Sequence, residues 1–336
     1  MSAPAPPYAE HAEDVLAFAA TRAAAGQPVA LAMVTGTLGG AVRAPGALMA
    51  VTEDGTRCGY LSGGCIDADL ALRAEAALAT GQAQTLRYGV GSAFGDITLP
   101  CGGAIDVAID PAPARSGIDR ALKALRARQP VGVWLTAGRL RFGSPAGAAP
   151  PLATYRPKLA LRIAGRGADP IALASLAHAA GYRVTLWTPD EACTEAARAA
   201  GLPDCQPLTS HHALPTHQDD RWTAFMLMFH DPHWEDVLLT QALAGDAFHV
   251  GAVGSPRTHA MRCDRLRAGG IAPADIARIK GPVGLVPSMR NATSLAISAL
   301  AEIVGAYETL PGPAAEPPRE TTSPAQTGAA AKRVPA

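Results

Sequence analysis

Aromatic residues are scarce in this 336-residue chain, at 5%, and no net charge accumulates, because 29 Lys and Arg face 29 Asp and Glu. With few rings available, Ala, Val and Leu must fill the cores, and a hydrophobic content of 48% is ample for that. Nucleic-acid binders neutralise phosphates with clustered cations, whereas the arginines here are scattered singly through helix-like stretches, so no nucleic-acid partner is expected. No apolar run reaches the roughly 18 uncharged residues that a membrane span requires, and no integral membrane segment is expected. Met1 to Pro7 is Ala/Pro-rich, without a basic region or an apolar stretch, so no secretory signal is expected either. The six cysteines (58, 65, 101, 193, 205 and 263) include no C-x-x-C pair. Their irregular spacing is neither a disulfide framework nor a structural zinc pattern. A reducing cytoplasm is the expected setting, where a conspicuous cysteine is conspicuous for its reactivity. There are no internal repeats.

What is present divides into two textures, and the length suits about two domains of roughly 100–200 residues. Residues 8–112 predict a mixed α+β unit. It opens with an amphipathic helix from Tyr8 to Ala25. Strands follow at Val29–Val34, Ala47–Val51 and Arg57–Leu61, the last two a hairpin around Glu53-Asp54-Gly55. A helix over Ile66–Thr80 ends at Gly81, and further strands fall at Thr85–Tyr88 and Ala104–Ile109. Residues 113–157 read as a connecting segment with one helix, two short strands and a Gly/Ala/Pro-rich linker. From 158 to 308 strands alternate with helices, the pattern of a parallel sheet covered on both faces. Residues 309–336 are poor in packing residues and read as a disordered tail.

Two cysteines of the first unit sit in glycine loops. Ser62-Gly63-Gly64-Cys65 lets the backbone turn sharply before a helix, and a helix N-terminus lowers a thiol pKa and favours thiolate. Pro100-Cys101-Gly102-Gly103 is the second such loop. A third turn, Gly39 to Gly46, carries Arg43, a donor suited to phosphate or pterin oxygens. Cys58, Cys193, Cys205 and Cys263 lie outside glycine loops and read as small core residues.

In the second unit, Gly165-Arg166-Gly167 resembles the strand–turn–helix entry of a dinucleotide fold. The third glycine is replaced by Pro170, and Asp169 reads as the N-cap of the next helix with Pro170 behind it. A capping carboxylate there repels an anion, and no acid stands where a ribose would be bound, Asp190 coming late. Both points argue against ordinary NAD(P) binding. His230 and Asp231 follow an apolar strand at the sheet edge where ligands bind, and Gly254, Ser255 and Arg257 form another strand-end turn. His211, His212 and His217 read as solvated.

At this point the ordered set of motifs is similar to a known family. Arg43-Ala-Pro-Gly46, Ser62-Gly-Gly-Cys65-Ile-Asp67, Pro100-Cys-Gly-Gly103, His230-Asp231, Gly251 to Thr258 and Gly284-Leu285 with Ala296 to Glu302 resemble the XdhC/CoxI family, over roughly residues 11–110 and 158–308. That family comprises accessory proteins of xanthine dehydrogenase, carbon monoxide dehydrogenase and related molybdenum hydroxylases. The resemblance implies an XdhC/CoxI-type α+β domain followed by a Rossmann-like doubly wound parallel sheet. It also implies a molybdenum cofactor (molybdopterin) chaperone rather than an enzyme, stabilising the cofactor, supporting its sulfuration with a cysteine desulfurase and delivering it to a xanthine dehydrogenase-type apoenzyme. Cys65 would be the central thiol and a ligand to the cofactor's molybdenum, with Cys101 beside it. Arg43, Ser62, Gly63, Gly64, Asp67, Gly102 and Gly103 would line the site, and Gly165, Gly167, His230, Asp231, Gly254, Ser255 and Arg257 its counterpart in the second domain. The chain departs from the family at Gly39 to Val42, where a serine and a proline are usual, and at Asp67, where the usual residue is Glu. Two other readings stay open: an NAD(P)-dependent oxidoreductase with His230 as acid/base, and a non-catalytic scaffold. The partner hydroxylase and any homo-oligomeric state stay open too.

Overall fold

The structure, a computed structural model, describes residues 8–41, 43–64, 66–92, 102–146 and 149–311. In chain order its first part comprises α1 (Ala12–Ala24), β1 (Val29–Leu38), β2 (Leu48–Thr52), β3 (Arg57–Gly59), α2 (Asp67–Thr80), β4 (Gln84–Gly89), β5 (Ala104–Asp110), α3 (Arg115–Arg126), β6 (Val131–Thr136), β7 (Arg139–Gly143) and β8 (Ala153–Tyr155). Strands β3-β2-β1-β5-β4 form an antiparallel five-stranded sheet. β1 is central and covered on both faces. Because side chains alternate along a strand, Ala30, Ala32 and Val34 face the α2 side, while Val29, Leu31 and Met33 join the core under α1. The first helix begins four residues later than its pattern suggested, after His11 in extended conformation.

Residues 113–157 do more than connect. Helix α3 and the small sheet β7-β6-β8 share one core with α1, β1 and β2, through Ile118, Leu122, Val133, Leu140 and Tyr155. The apolar face of α3 is what composition alone leaves unassigned: a helix with a buried stripe must pack somewhere, and α1 is where.

The second part comprises β9 (Ala160–Gly165), α4 (Ala168–Ala179), β10 (Arg183–Thr188), α5 (Glu191–Ala199), β11 (Cys205–Pro207), β12 (Thr223–Met228), α6 (Pro232–Leu243), β13 (His249–Ala252), α7 (Pro256–Ala268), α8 (Pro273–Ile276), β14 (Ile279–Lys280) and α9 (Ala292–Glu308). Its six strands are parallel in the order β11-β10-β9-β12-β13-β14. Helices cover both faces. Ala224, Met226 and Met228 of β12 pack with α4 and α9, and Phe225 and Leu227 pack with α6. The doubly wound sheet expected from the strand–helix alternation is therefore present, with α7, α8, β11 and β14 added to the elements read from the sequence.

A polar joint ties the two parts together. Arg128 sits in the left-handed region at φ 64° and pairs with Asp220 at 2.6 and 2.9 Å. The Trp222 indole donates back to the Arg128 carbonyl at 3.1 Å. Lys158 pairs with Asp14 at 2.7 Å and Arg183 with Glu13 at 2.9 Å.

Within the second sheet, Arg162 of β9 is buried, its guanidinium lying 4.6 and 4.2 Å from the ring centroids of Trp187 and Phe225. It donates to both Asp219 oxygens and to Gln241. His217, read as solvated, stands 3.2 Å from Asp219. Removing one member of a buried pair strands the other charge, at about 3–5 kcal/mol. Asp219→Ala is expected to lose on that order in urea unfolding, and Arg162→Met with Asp219→Leu clearly less. A second expectation concerns His249 of β13, 4% exposed. Burial, with the Lys280 charge adding to it, holds this imidazole down at about 4, and Glu302 at 3.6 Å is too far for a hydrogen bond. The unfolded chain takes up this proton near pH 6.5 and the folded chain only near 4, so stability is full above 6.5 and falls as pH drops towards 4. At about 1.4 kcal/mol per unit that is roughly 3 kcal/mol. His249→Gln should flatten this part of the wild-type difference in denaturation between pH 7 and 4.

Candidate functional site

Strand direction assembles the first site. β1 runs antiparallel to β2 and β5, β2 to β3, and β4 to β5. The segments after β1, after β3 and between β4 and β5 therefore all leave one end of the sheet, and these segments carry Arg43, Ser62-Gly63-Gly64-Cys65 and Cys101-Gly102-Gly103. Cys65 and Cys101 themselves lie outside the described residues, as does Pro100, whereas Gly64, Ile66 and Gly102 lie within them.

Leu38 pairs with Ala104 at this edge. A side chain on Gly103 would put its Cβ 2.4 Å from the Leu38 carbonyl oxygen and 3.1 Å from that of Gly40. The first and third loops thus touch backbone to backbone. At Gly64 and Gly102 the opposite holds: among the described residues nothing comes within 4 Å of an added Cβ.

The cysteine loop is held from beneath. Asp67, at the start of α2 and 4% exposed, accepts from the backbone N–H groups of Leu61 (2.8 Å), Ser62 (3.1 Å) and Gly64 (2.7 Å). Ser62 Oγ accepts from the Ile66 N–H at 3.1 Å. Gly63 and Gly64 take φ of 71° and 114°, the left-handed values that such a tight fold of chain requires. Asp67 and Ser62, expected to face a cofactor, are engaged in shaping the loop. No helix signal announces this, because the three N–H groups belong to the loop before α2 and not to its own first turn.

Arg43 is also engaged. It donates to the Glu10 carbonyl at 2.9 Å and lies 4.7 Å over the Tyr60 ring, whose hydroxyl donates to the Glu10 carboxylate at 2.6 Å. It lines a cavity of about 290 Å³ with Gly46, Leu48 and Tyr155. A larger cleft, about 1580 Å³, lies between α3 and the amino ends of β12 and β13, and none of the candidate residues lines it.

The second group of candidates lies at the carboxyl ends of β9, β12 and β13. Strand order reverses between β9 and β12, the position where open α/β sheets bind ligands. His230 and Arg257 are exposed side chains there. Asp231 caps α6 through the His233 N–H at 3.0 Å, and Ser255 caps α7 through the Thr258 N–H at 3.1 Å. Gly254 takes φ 134°. The expected cap of α4 is corrected: Gly167 (φ 84°) is the N-cap, and Asp169 and Pro170 fall inside the first turn. Glycine can adopt that conformation where aspartate is strained, so the helix starts earlier. Asp190 caps α5 through the Ala192 N–H at 3.1 Å. His211 packs its ring against His212, His233 and Trp234 instead of lying free in solvent.

Among the other cysteines, Cys58 is buried, which pushes its thiol up to about 11. Cys193 has a contact that sequence reading missed altogether: its sulfur accepts from the Gly167 N–H at 3.0 Å. The described residues contain no cluster of three or more His, Cys, Asp or Glu able to hold a metal ion, and no helix long and apolar enough to cross a membrane.

The loop clasp yields a direct expectation. Asp67→Ala removes the acceptor of three N–H groups, and hydrogen bonds to a charged group contribute about 1.5–3 kcal/mol each without being additive. A loss on the order of 3 kcal/mol in thermal or urea unfolding should follow, with faster proteolysis between residues 60 and 66. Asp67→Asn keeps one acceptor oxygen and should lose less.

Known proteins resemble this chain in both of its parts. The family described as XdhC and CoxI matches residues 22–89, and that described as XdhC Rossmann domain matches residues 161–303. The molybdenum cofactor insertion chaperone PaoD of Escherichia coli (strain K12) is 33% identical over 303 residues, covering 86% of each chain. A crystal structure described as a xanthine dehydrogenase from Bacillus halodurans superposes with a TM-score of 0.71, over 92% of this chain and 98% of that one, at 21% identity, a likeness of fold. With its two domains in this order and a curated relative matched along most of its length, the chain belongs to the XdhC and CoxI family.

Proposed function

We propose that the chain carries molybdenum cofactor as cargo at the glycine-lined edge of the first sheet and passes it to a xanthine dehydrogenase-type apoenzyme in the cytoplasm. The observation that carries this reading is the convergence of three loops on one sheet edge. Two of them hold Cys65 and Cys101 in the Ser-Gly-Gly-Cys and Pro-Cys-Gly-Gly turns, and no described atom comes within 4 Å of a Cβ added at Gly64 or Gly102. The relative named a molybdenum cofactor insertion chaperone supports it.

A soft thiolate suits a metal–sulfur centre, and Cys65, just before α2, is the residue assigned to meet the molybdenum, with Cys101 on the neighbouring loop. Glycine at 63, 64, 102 and 103 lets a large flat cofactor lie close to the chain. Asp67 and Ser62 position the loop, and Arg43, fixed by Glu10 and Tyr60, supplies a cation on the adjoining wall. Sulfuration belongs to the same reading: a cofactor held at this edge would be presented there to a cysteine desulfurase, with Cys65 and Cys101 on the loops that hold it.

Wild type and Cys65→Ala are to be purified from molybdenum-replete cells, and molybdenum per chain measured beside the fluorescent oxidised pterin. Loading in the wild type with at least a tenfold loss in Cys65→Ala is expected. Equal loading, or none in either protein, sinks the assignment.

A further inference from the structure

In dinucleotide-binding sheets the glycine turn after the first strand brings a pyrophosphate against free backbone N–H groups at the start of the next helix. In this chain that position is filled from within. The Gly167 N–H donates to Cys193 Sγ at 3.0 Å, and the thiol hydrogen is within reach of Asp190 Oδ2 at 3.3 Å and the Gly167 carbonyl at 3.4 Å. Cys193 is 4% exposed, so its sulfur is packed into the turn. Burial raises the thiol above its ordinary value, keeping it a neutral S–H that accepts one hydrogen bond and donates another.

The rest of the turn adds to the obstruction. Pro170, in the first turn of α4, has no N–H to offer. Asp190 stands beside the sulfur, and Asp169 lies in the same first turn. An incoming pyrophosphate would have to displace the thiol and then sit among these carboxylates. The glycine spacing that suggests a nucleotide site has another cause at Gly165: an added Cβ would lie 2.7 Å from the Met228 carbonyl oxygen and 3.1 Å from Pro170 Cβ. Close packing of β9 on β12 and α4 demands glycine there, whatever binds.

We propose that Cys193 is a plug that closes this glycine turn to dinucleotide phosphates, so that the second domain keeps the sheet and switch point of a nucleotide-binding fold without its phosphate seat. The proposal is independent of what the first domain carries.

Calorimetric titration with NADH and with ADP tests it on the full chain. Wild type should give no saturable binding. Cys193→Ala, which frees the Gly167 N–H, should gain binding at least tenfold tighter than the wild-type limit. Cys193→Val, which refills the space, should not. Thermal melts check folding, and Cys193→Gly, which opens the turn equally, replaces the alanine variant if that one does not fold. Wild type binding as tightly as Cys193→Ala overturns the proposal, as does a folded opened variant with no gain.

Discussion

The approach of Gly103 to the Leu38 carbonyl oxygen, where a Cβ would come within 2.4 Å, is the constraint on which the first domain's working edge depends. It sits where the central pairing of β1 with β5 ends. That pairing joins segments more than 60 residues apart, and without it the Arg43 loop and the Cys101 loop would not share a surface. The cost of closing so long a loop of chain is met by the apolar residues of β1, buried on both faces. The meeting of the two loops thus rests on a core remote from the loops themselves.

Asp67 extends the same logic to the cysteine loop. Three N–H groups turned towards one carboxylate are three donors that a ligand cannot use. The acid serves the loop, and under the proposed function recognition is left to other groups. That division of labour was only partly readable from residue order. Glycine beside cysteine announces a turn and an uncrowded sulfur. Whether a nearby acid faces the ligand or the loop depends on where α2 starts, and one residue of offset decides it. An offset of two residues misled the reading of Asp169. A helix boundary moved back to Gly167 changed a cap into a first-turn side chain and left the cap's role to backbone.

Elements with strong local patterns were legible: the β2–β3 hairpin, α2 with its Gly81 stop, and the strand–helix alternation after residue 158. Their partners were not, because α3 against α1 and the strand order of both sheets are set by contacts between distant segments. Periodicity says that a face is apolar, and not what covers it. The polar joint of Arg128, Asp220 and Trp222 is of this kind. It calls on a left-handed arginine that no local signal marks. Cys193 was invisible for a related reason, since a cysteine on a helix gains its meaning only from Gly167, 26 residues away, across α4 and β10.

Two names stand beside this chain, a cofactor insertion chaperone at 33% identity and a structure described as a dehydrogenase at 21%. Fold likeness alone does not choose between them, because one parallel sheet hosts many functions. The residues do. An NAD(P)-linked oxidoreductase built on the second domain would draw on the glycine turn of β9, and that turn is closed by a thiol and bordered by carboxylates. What would be the chemical edge of such an enzyme is here an interior contact, and Asp231 and Ser255 on the neighbouring strand ends are engaged in capping their own helices. In both glycine turns the backbone donor is engaged from within, the Gly64 N–H by Asp67 and the Gly167 N–H by Cys193. What separates them is the partner: a carboxylate that draws the cysteine loop together from beneath, and a neutral thiol seated where a dinucleotide fold would hold its phosphate.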